Sequence, residues 1–80
     1  MLPNSEGLVR VRSNIAGEVE IRAAVGQVVL MGQSMAVVEG DHEIESLSVR
    51  KTSEVMELLV EDGTEVESGT TIMVVREISE

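Results

Sequence analysis

One segment of this chain occurs twice. Gly26-Gln27-Val28-Val29-Leu30-Met31-Gly32-Gln33-Ser34-Met35-Ala36-Val37-Val38 is echoed 37 residues later by Gly63-Thr64-Glu65-Val66-Glu67-Ser68-Gly69-Thr70-Thr71-Ile72-Met73-Val74-Val75. Each copy holds two Gly six residues apart around a Val and then runs into an apolar segment. Gly at such positions supplies the positive φ that tight turns need. The segments before the copies also correspond. Val11-Arg12 leads through Gly17-Glu18-Val19 into the first, and Val49-Arg50 leads through Ser53-Glu54-Val55 into the second, with spacings that differ by a residue or two. Two copies are too few for a solenoid, which needs at least about three repeats. They fit a closed domain of two interleaved halves related by a pseudo-twofold axis.

The local pattern is that of strands. Val9 and Val11 alternate with Leu8, Arg10 and Arg12, and Val19 and Ile21 alternate with Glu18, Glu20 and Arg22. This period-2 alternation marks strands with one buried face, and a helical stripe fits nowhere for more than about two turns. Strands are expected over 8–12, 18–24, 28–29, 35–39, 43–49, 55–61 and 71–78, separated by Gly or polar clusters. Val, Ile and Thr together supply 23 of the 80 residues, and β-branched side chains suit a pleated surface. With no Phe, Trp or Tyr, the core falls to Val, Ile, Leu, Met and Ala, with Met31, Met35, Met56 and Met73 filling gaps. The fold class is therefore all-β, a small barrel or sandwich of about seven to eight short strands. Residues 1–7 are expected to form a flexible N-terminal end, and 8–78 a single domain.

Composition narrows the function. Fifteen acidic against six basic side chains give a net charge of −9. Phosphate backbones and anionic lipid surfaces both draw affinity from Lys and Arg, so neither nucleic acid nor membrane is an expected partner. The chain has no Cys, which removes disulfides, thiolate metal sites and Cys nucleophiles. No signal-peptide pattern and no apolar run approaching about 18 residues is visible, so the expected location is the cytoplasm. The sole His, His42, has no readable Ser partner or cleft, and the Gly26–Gly32 segment lacks the Lys and helix start of a phosphate loop. The expectation is a protein that is not an enzyme. His42 lies among Glu39, Asp41, Glu43 and Glu45, but one imidazole with flexible carboxylates on a turn lacks the supporting shell of a metal site, so no metal site is expected.

The two halves are joined by Glu39-Gly40-Asp41-His42-Glu43, where Gly-Asp before a second strand signals a hairpin turn with His42 at its exposed tip. From Val9 to Arg76 the chain resembles the biotinyl/lipoyl carrier domain family. The lipoyl pattern Gly-Asp-x-Val-x-x-Gly-Gln-x-Leu, then an apolar strand, then Glu-Thr-Asp-Lys-Ala, is matched without a gap by Gly26–Met35, Ala36-Val37-Val38 and Glu39-Gly40-Asp41-His42-Glu43. Glu39 also fits the biotinyl form Glu-Ala-Met-Lys-Met, Asp41 favours the lipoyl form, and the lead-in Arg12-Ser13-Asn14-Ile15-Ala16-Gly17 is similar to a biotin carrier. Ser53 departs from the Gly expected before Glu54.

The resemblance implies a flattened barrel-sandwich hybrid in which a hairpin turn presents the Lys that carries biotin or lipoate. Here that position is His42. Biotin and lipoate are held by an amide to a primary amine, and an acyl-imidazole hydrolyses readily. The resemblance with this departure implies an unmodified, non-catalytic accessory or docking module of a biotin-dependent carboxylase or a lipoate-dependent complex. Its cofactor would be absent, and its partner would be a protein such as a carboxylase or 2-oxoacid dehydrogenase subunit. Two alternatives stand beside it. One is a genuine carrier with its attachment site shifted to Lys51, the only Lys of the chain. The other is a cofactor-free structural or adaptor hybrid domain, although such adaptors usually carry a long helical insertion where this chain has a short turn.

Overall fold

In the computed structural model, which describes residues 7–78, the four repeat glycines form the corners of the fold. Gly26, Gly32, Gly63 and Gly69 have φ of 90°, 84°, 87° and 90°. Each is the third residue of a four-residue turn closed by a backbone bond: Gln27 N to Ala24 O at 3.0 Å, Gln33 N to Leu30 O at 2.9 Å, Thr64 N to Glu61 O at 3.1 Å and Thr70 N to Glu67 O at 3.1 Å. A positive φ at the third position is what a type II turn demands.

Eight strands run between these corners: β1 (Leu8–Arg12), β2 (Gly17–Ile21), β3 (Val28–Val29), β4 (Ser34–Glu39), β5 (Ile44–Ser48), β6 (Ser53–Leu58), β7 (Glu65–Val66) and β8 (Thr71–Glu77). There is no helix among the described residues. The loose end expected at 1–7 lies outside them except for Gly7. The strands form two four-stranded antiparallel sheets, β1-β8-β6-β3 and β5-β4-β2-β7. Exchanging β1 for β5, β8 for β4, β6 for β2 and β3 for β7 turns one sheet order into the other. Each sheet thus takes two strands from each half, which is the interleaving that the repeat implies. The sheets lie as two layers and do not close into a continuous barrel, a flattened barrel-sandwich.

The register repeats as faithfully as the order. β1 meets β8 with Val11 opposite Met73 and Arg12 opposite Thr71, which leaves Ile72 as a bulge. β5 meets β4 with Leu47 opposite Ala36 and Ser48 opposite Ser34, which leaves Met35 at the corresponding place. Ile72 and Met35 are both fully buried. Bulges re-aim side chains, and these two lie in the shared core with Val19, Val29, Val38, Val55, Met73 and Val75. One further bulge breaks the symmetry. Val55 pairs with Val75 and Glu57 with Val74, so Met56 is an inserted residue. That insertion accounts for Gly17-Glu18-Val19 and Ser53-Glu54-Val55 being one out of step with the repeat, whereas the register equates Val11-Arg12 with Leu47-Ser48 and not with the Val49-Arg50 matched in the sequence.

Strand ends differ from expectation for a common reason. The alternation of 18–24 and 55–61 outlasts β2 and β6, which make one further bond each to their neighbouring strands, β4 and β8. Arg22 N bonds Met35 O at 2.8 Å and Leu59 N bonds Ile72 O at 2.9 Å before the glycine turns begin. β7, absent from the expected strands, is the repeat partner of β3 and pairs with β2 through Gly17–Val66 and Glu18–Glu65.

Gly17 is required by close approach and not by φ. A Cβ there would overlap the Glu39 carbonyl and lie 2.9 Å from the Gly40 nitrogen. Its counterpart Ser53 tolerates a side chain. It is buried, and its hydroxyl donates to Lys51 O at 2.8 Å. We expect Gly17→Ala to cost at least ~3 kcal/mol, because the obstruction is backbone that cannot swing aside. Gly26→Ala meets nothing within 4 Å and should cost only the left-handed φ, about 1–2 kcal/mol. Denaturant unfolding of the two variants checks the contrast.

Candidate functional site

The β4–β5 hairpin puts His42 where the sequence places it. Glu39 pairs with Ile44, and Gly40 N donates to Glu43 O at 2.8 Å, so Asp41 and His42 form the tip. Asp41, His42 and Glu43 are all exposed. The turn is pressed onto the body of the domain, since a Cβ on Gly40 would come within 2.9 Å of Ala16 O.

The carboxylates of the tip do not converge on His42. Glu45 turns back to the barrel, where its side chain accepts the Asn14 backbone N–H at 2.8 Å and a second bond from the Asn14 amide. Ser68 in turn donates to Asn14 O at 3.0 Å, which ties the 13–17 loop to the second glycine turn. Among the described residues no three His, Asp or Glu side chains are grouped in a way that could hold a metal ion.

Lys51 stands elsewhere. It is exposed in the connection between β5 and β6, and β5 begins at the tip and runs away from it. Beside it, Ile78 N donates to Thr52 O at 2.9 Å, so Lys51 lies at the end of the domain where the described chain starts and stops. That end is the pseudo-twofold counterpart of the tip. Glu77 N donates to Gly7 O at 2.8 Å just as Gly40 N donates to Glu43 O at 2.8 Å.

Below the tip lies a feature that the sequence reading missed. Ile44, Glu39, Glu18 and Glu65 are direct partners in successive strands, β5, β4, β2 and β7, and so form one row across the outer face. Three carboxylates stand side by side. With Asp41 and Glu67 they line an open groove of about 610 Å³. The corresponding row of the other sheet is Leu8, Arg76, Glu54 and Val28, in which charges alternate. The repeat register would have revealed both rows, but only once the sheet order was known.

Like charges directly opposite one another destabilise a sheet. The only ion pair among the described residues, Arg22 to Glu20 at 3.3 Å, is exposed and does not reach this row. Glu18→Gln should therefore raise the thermal midpoint. The gain should shrink as salt screens the row, whereas Glu54→Gln should not raise it. A thermal melt of each variant at low and high salt measures this.

A family model for biotin/lipoyl domains, described as "Biotin-requiring enzyme", matches residues 10–75. No curated protein matches the chain in sequence. Among solved structures, a single-chain, multi-domain long-chain acyl-CoA carboxylase superposes with a TM-score of 0.83 at 23% identity, over 98% of this chain and 8% of its own. Urea carboxylase from Kluyveromyces lactis gives 0.77 at 24% identity, over 94% of this chain and 6% of its own. An aspartoacylase family protein from Mesorhizobium loti gives 0.74 at 16% identity, over 89% of this chain and 24% of its own. The chain thus spans less than a quarter of the length of each. At these identities the likeness is one of fold, and the fold occurs both in carboxylases and in an aspartoacylase relative. No helix among the described residues is long and apolar enough to cross a membrane. With the family model covering most of its length and the hairpin, repeat and paired sheets in place, the chain belongs to the biotin/lipoyl domain family.

Proposed function

We propose that this domain is a carrier-like module without a prosthetic group. It docks on a biotin-dependent carboxylase or a lipoate-dependent complex through a carrier-shaped surface and does no chemistry of its own. One observation carries the reading. The exposed hairpin tip, where the lipoyl pattern places the modified lysine, presents the imidazole of His42. Attachment of biotin or lipoate requires a primary amine that ends as a stable amide. The tip residues Asp41, His42 and Glu43 offer none, so the residues present do not fit either group.

The only lysine of the chain, Lys51, is displaced from the tip by the length of β5, and its flanks Arg50 and Thr52 match neither attachment pattern. A ligase that recognises a hairpin tip would meet a different structure there. The open acidic groove beside Asp41 gives the tip end a charge suited to a basic docking surface. An enzyme reading has less support, because among the described residues no hydrogen bond joins His42 to a nucleophile or a second base.

Co-expression with a biotin ligase and with a lipoate ligase, followed by intact-mass measurement, tests the reading. The mass should stay that of the bare chain. A gain matching either group overturns the proposal, and peptide mapping then shows whether Lys51 carries it. His42→Lys supplies the complementary test. The hairpin is already exposed, so the variant should become a substrate, for the lipoate ligase before the biotin ligase because the Met flanks of the biotin pattern are missing. A variant left unmodified by both enzymes would mean that the tip is not carrier-like in shape.

A further inference from the structure

The two halves of the domain serve as controls for each other. The segment from Ala24 to Gln33 and its counterpart from Glu61 to Thr70 have the same two glycine turns and the same two-residue strand, yet they present opposite chemistry. In the first half Val25, Val28, Leu30 and Met31 are 60%, 50%, 61% and 71% exposed. The repeat positions in the second half are Asp62, Glu65, Glu67 and Ser68. Since charged and polar side chains serve the same scaffold, the fold does not require the four apolar ones. A grouped set of exposed apolar residues, unlike scattered single ones, marks an interaction surface.

The surroundings of this patch indicate what covers it. β3 is the outermost strand of its sheet, so the patch runs along an uncovered edge. Gly32 N donates to Val49 O at 3.1 Å, which sets Met31 beside Arg50 and Lys51. Both of these cations are exposed, and neither makes an ion pair among the described residues. In a protein of net charge −9, the patch thus has two cations at its Met31 end, while Glu54, the cross-strand partner of Val28, is itself paired with Arg76 on its other side. A second copy is a poor occupant. A twofold contact through the patch would bring two chains of net charge −9 together.

We propose that the β3 edge, with Val25, Val28, Leu30 and Met31 at its centre and Arg50 and Lys51 at its rim, docks an apolar segment of another protein that is flanked by acidic residues. The site lies at the end of the domain away from the tip and does not rest on whether His42 replaces an attachment lysine.

The test uses the whole chain, labelled for amide NMR, and two synthetic peptides with the same leucine-rich centre, one flanked by glutamates and one by lysines. The glutamate-flanked peptide should shift the resonances of residues 25–32 and 50–51 and bind at least about tenfold more tightly than the lysine-flanked one. The quadruple variant V25D/V28E/L30E/M31S, which installs the residues of the second half, should keep a folded spectrum and lose the binding. Should that variant fail to fold, the double variant R50E/K51E at two exposed positions still decides, because it should reverse the preference between the peptides. No binding, equal binding of both peptides, shifts confined to other surfaces, or a dimer that protects the patch would each overturn the proposal.

Discussion

Neither half of this chain can bury its apolar face alone, and the rest of the structure follows from that constraint. Every sheet contains two strands from each half, so the inner faces meet only when both are in place. The core residues come in symmetry-related pairs: Val19 with Val55, Val29 with Val66, Ala36 with Met73, Val38 with Val75, and the two bulge residues Met35 with Ile72. Ala36 opposite Met73 in this scheme shows how a core without aromatic residues fills its volume, with a small side chain on one side of the axis and a flexible one on the other. Sequence-distant pairing of this kind orders the chain as one cooperative unit.

A shell secured in this way leaves its outer surface free to diverge. The same row across four strands holds three carboxylates in one sheet and alternating charge in the other. The same turn-strand-turn scaffold is apolar at β3 and acidic at β7. The tip and the chain ends are likewise one device in two versions, since the backbone bond that closes the hairpin at Gly40 recurs at Glu77 where the described chain is open. Function in such a domain lies in what is displayed and not in the architecture. That is consistent with the same fold occurring in carboxylases and in an aspartoacylase relative.

Much of this was legible in the sequence because it depends on local rules. The repeat glycines announce their turns by their spacing, Val-rich alternation announces strands, and Gly40-Asp41 announces the hairpin that exposes His42. What was not legible depends on distant partners. Glu45 reads as a member of the tip cluster, but it is drawn off by Asn14, 31 residues away. β7 is too short and too acidic to read as a strand, and only its pairing with β2 makes it one. The role of Gly17 stems from the Glu39 carbonyl lying against it, a contact that exists only after β2 has paired with β4. Past Ile21 and Leu58 a single bond each, to Met35 and to Ile72, is all that prolongs the pairing, and no local pattern contains it.

The hairpin tip and the end of the shell closed by Gly7 and Glu77 are equivalent sites, so the tip holds a displayed residue and no structural one. A circular permutant, opened between Asp41 and His42 and joined by a linker from Ile78 to Gly7, tests this most directly by its denaturant unfolding. It should unfold in a single cooperative transition with the same dependence on denaturant as the parent chain. A permutant that fails to fold, or that loses cooperativity, would show that the tip is part of what holds the two sheets together and would contradict the account.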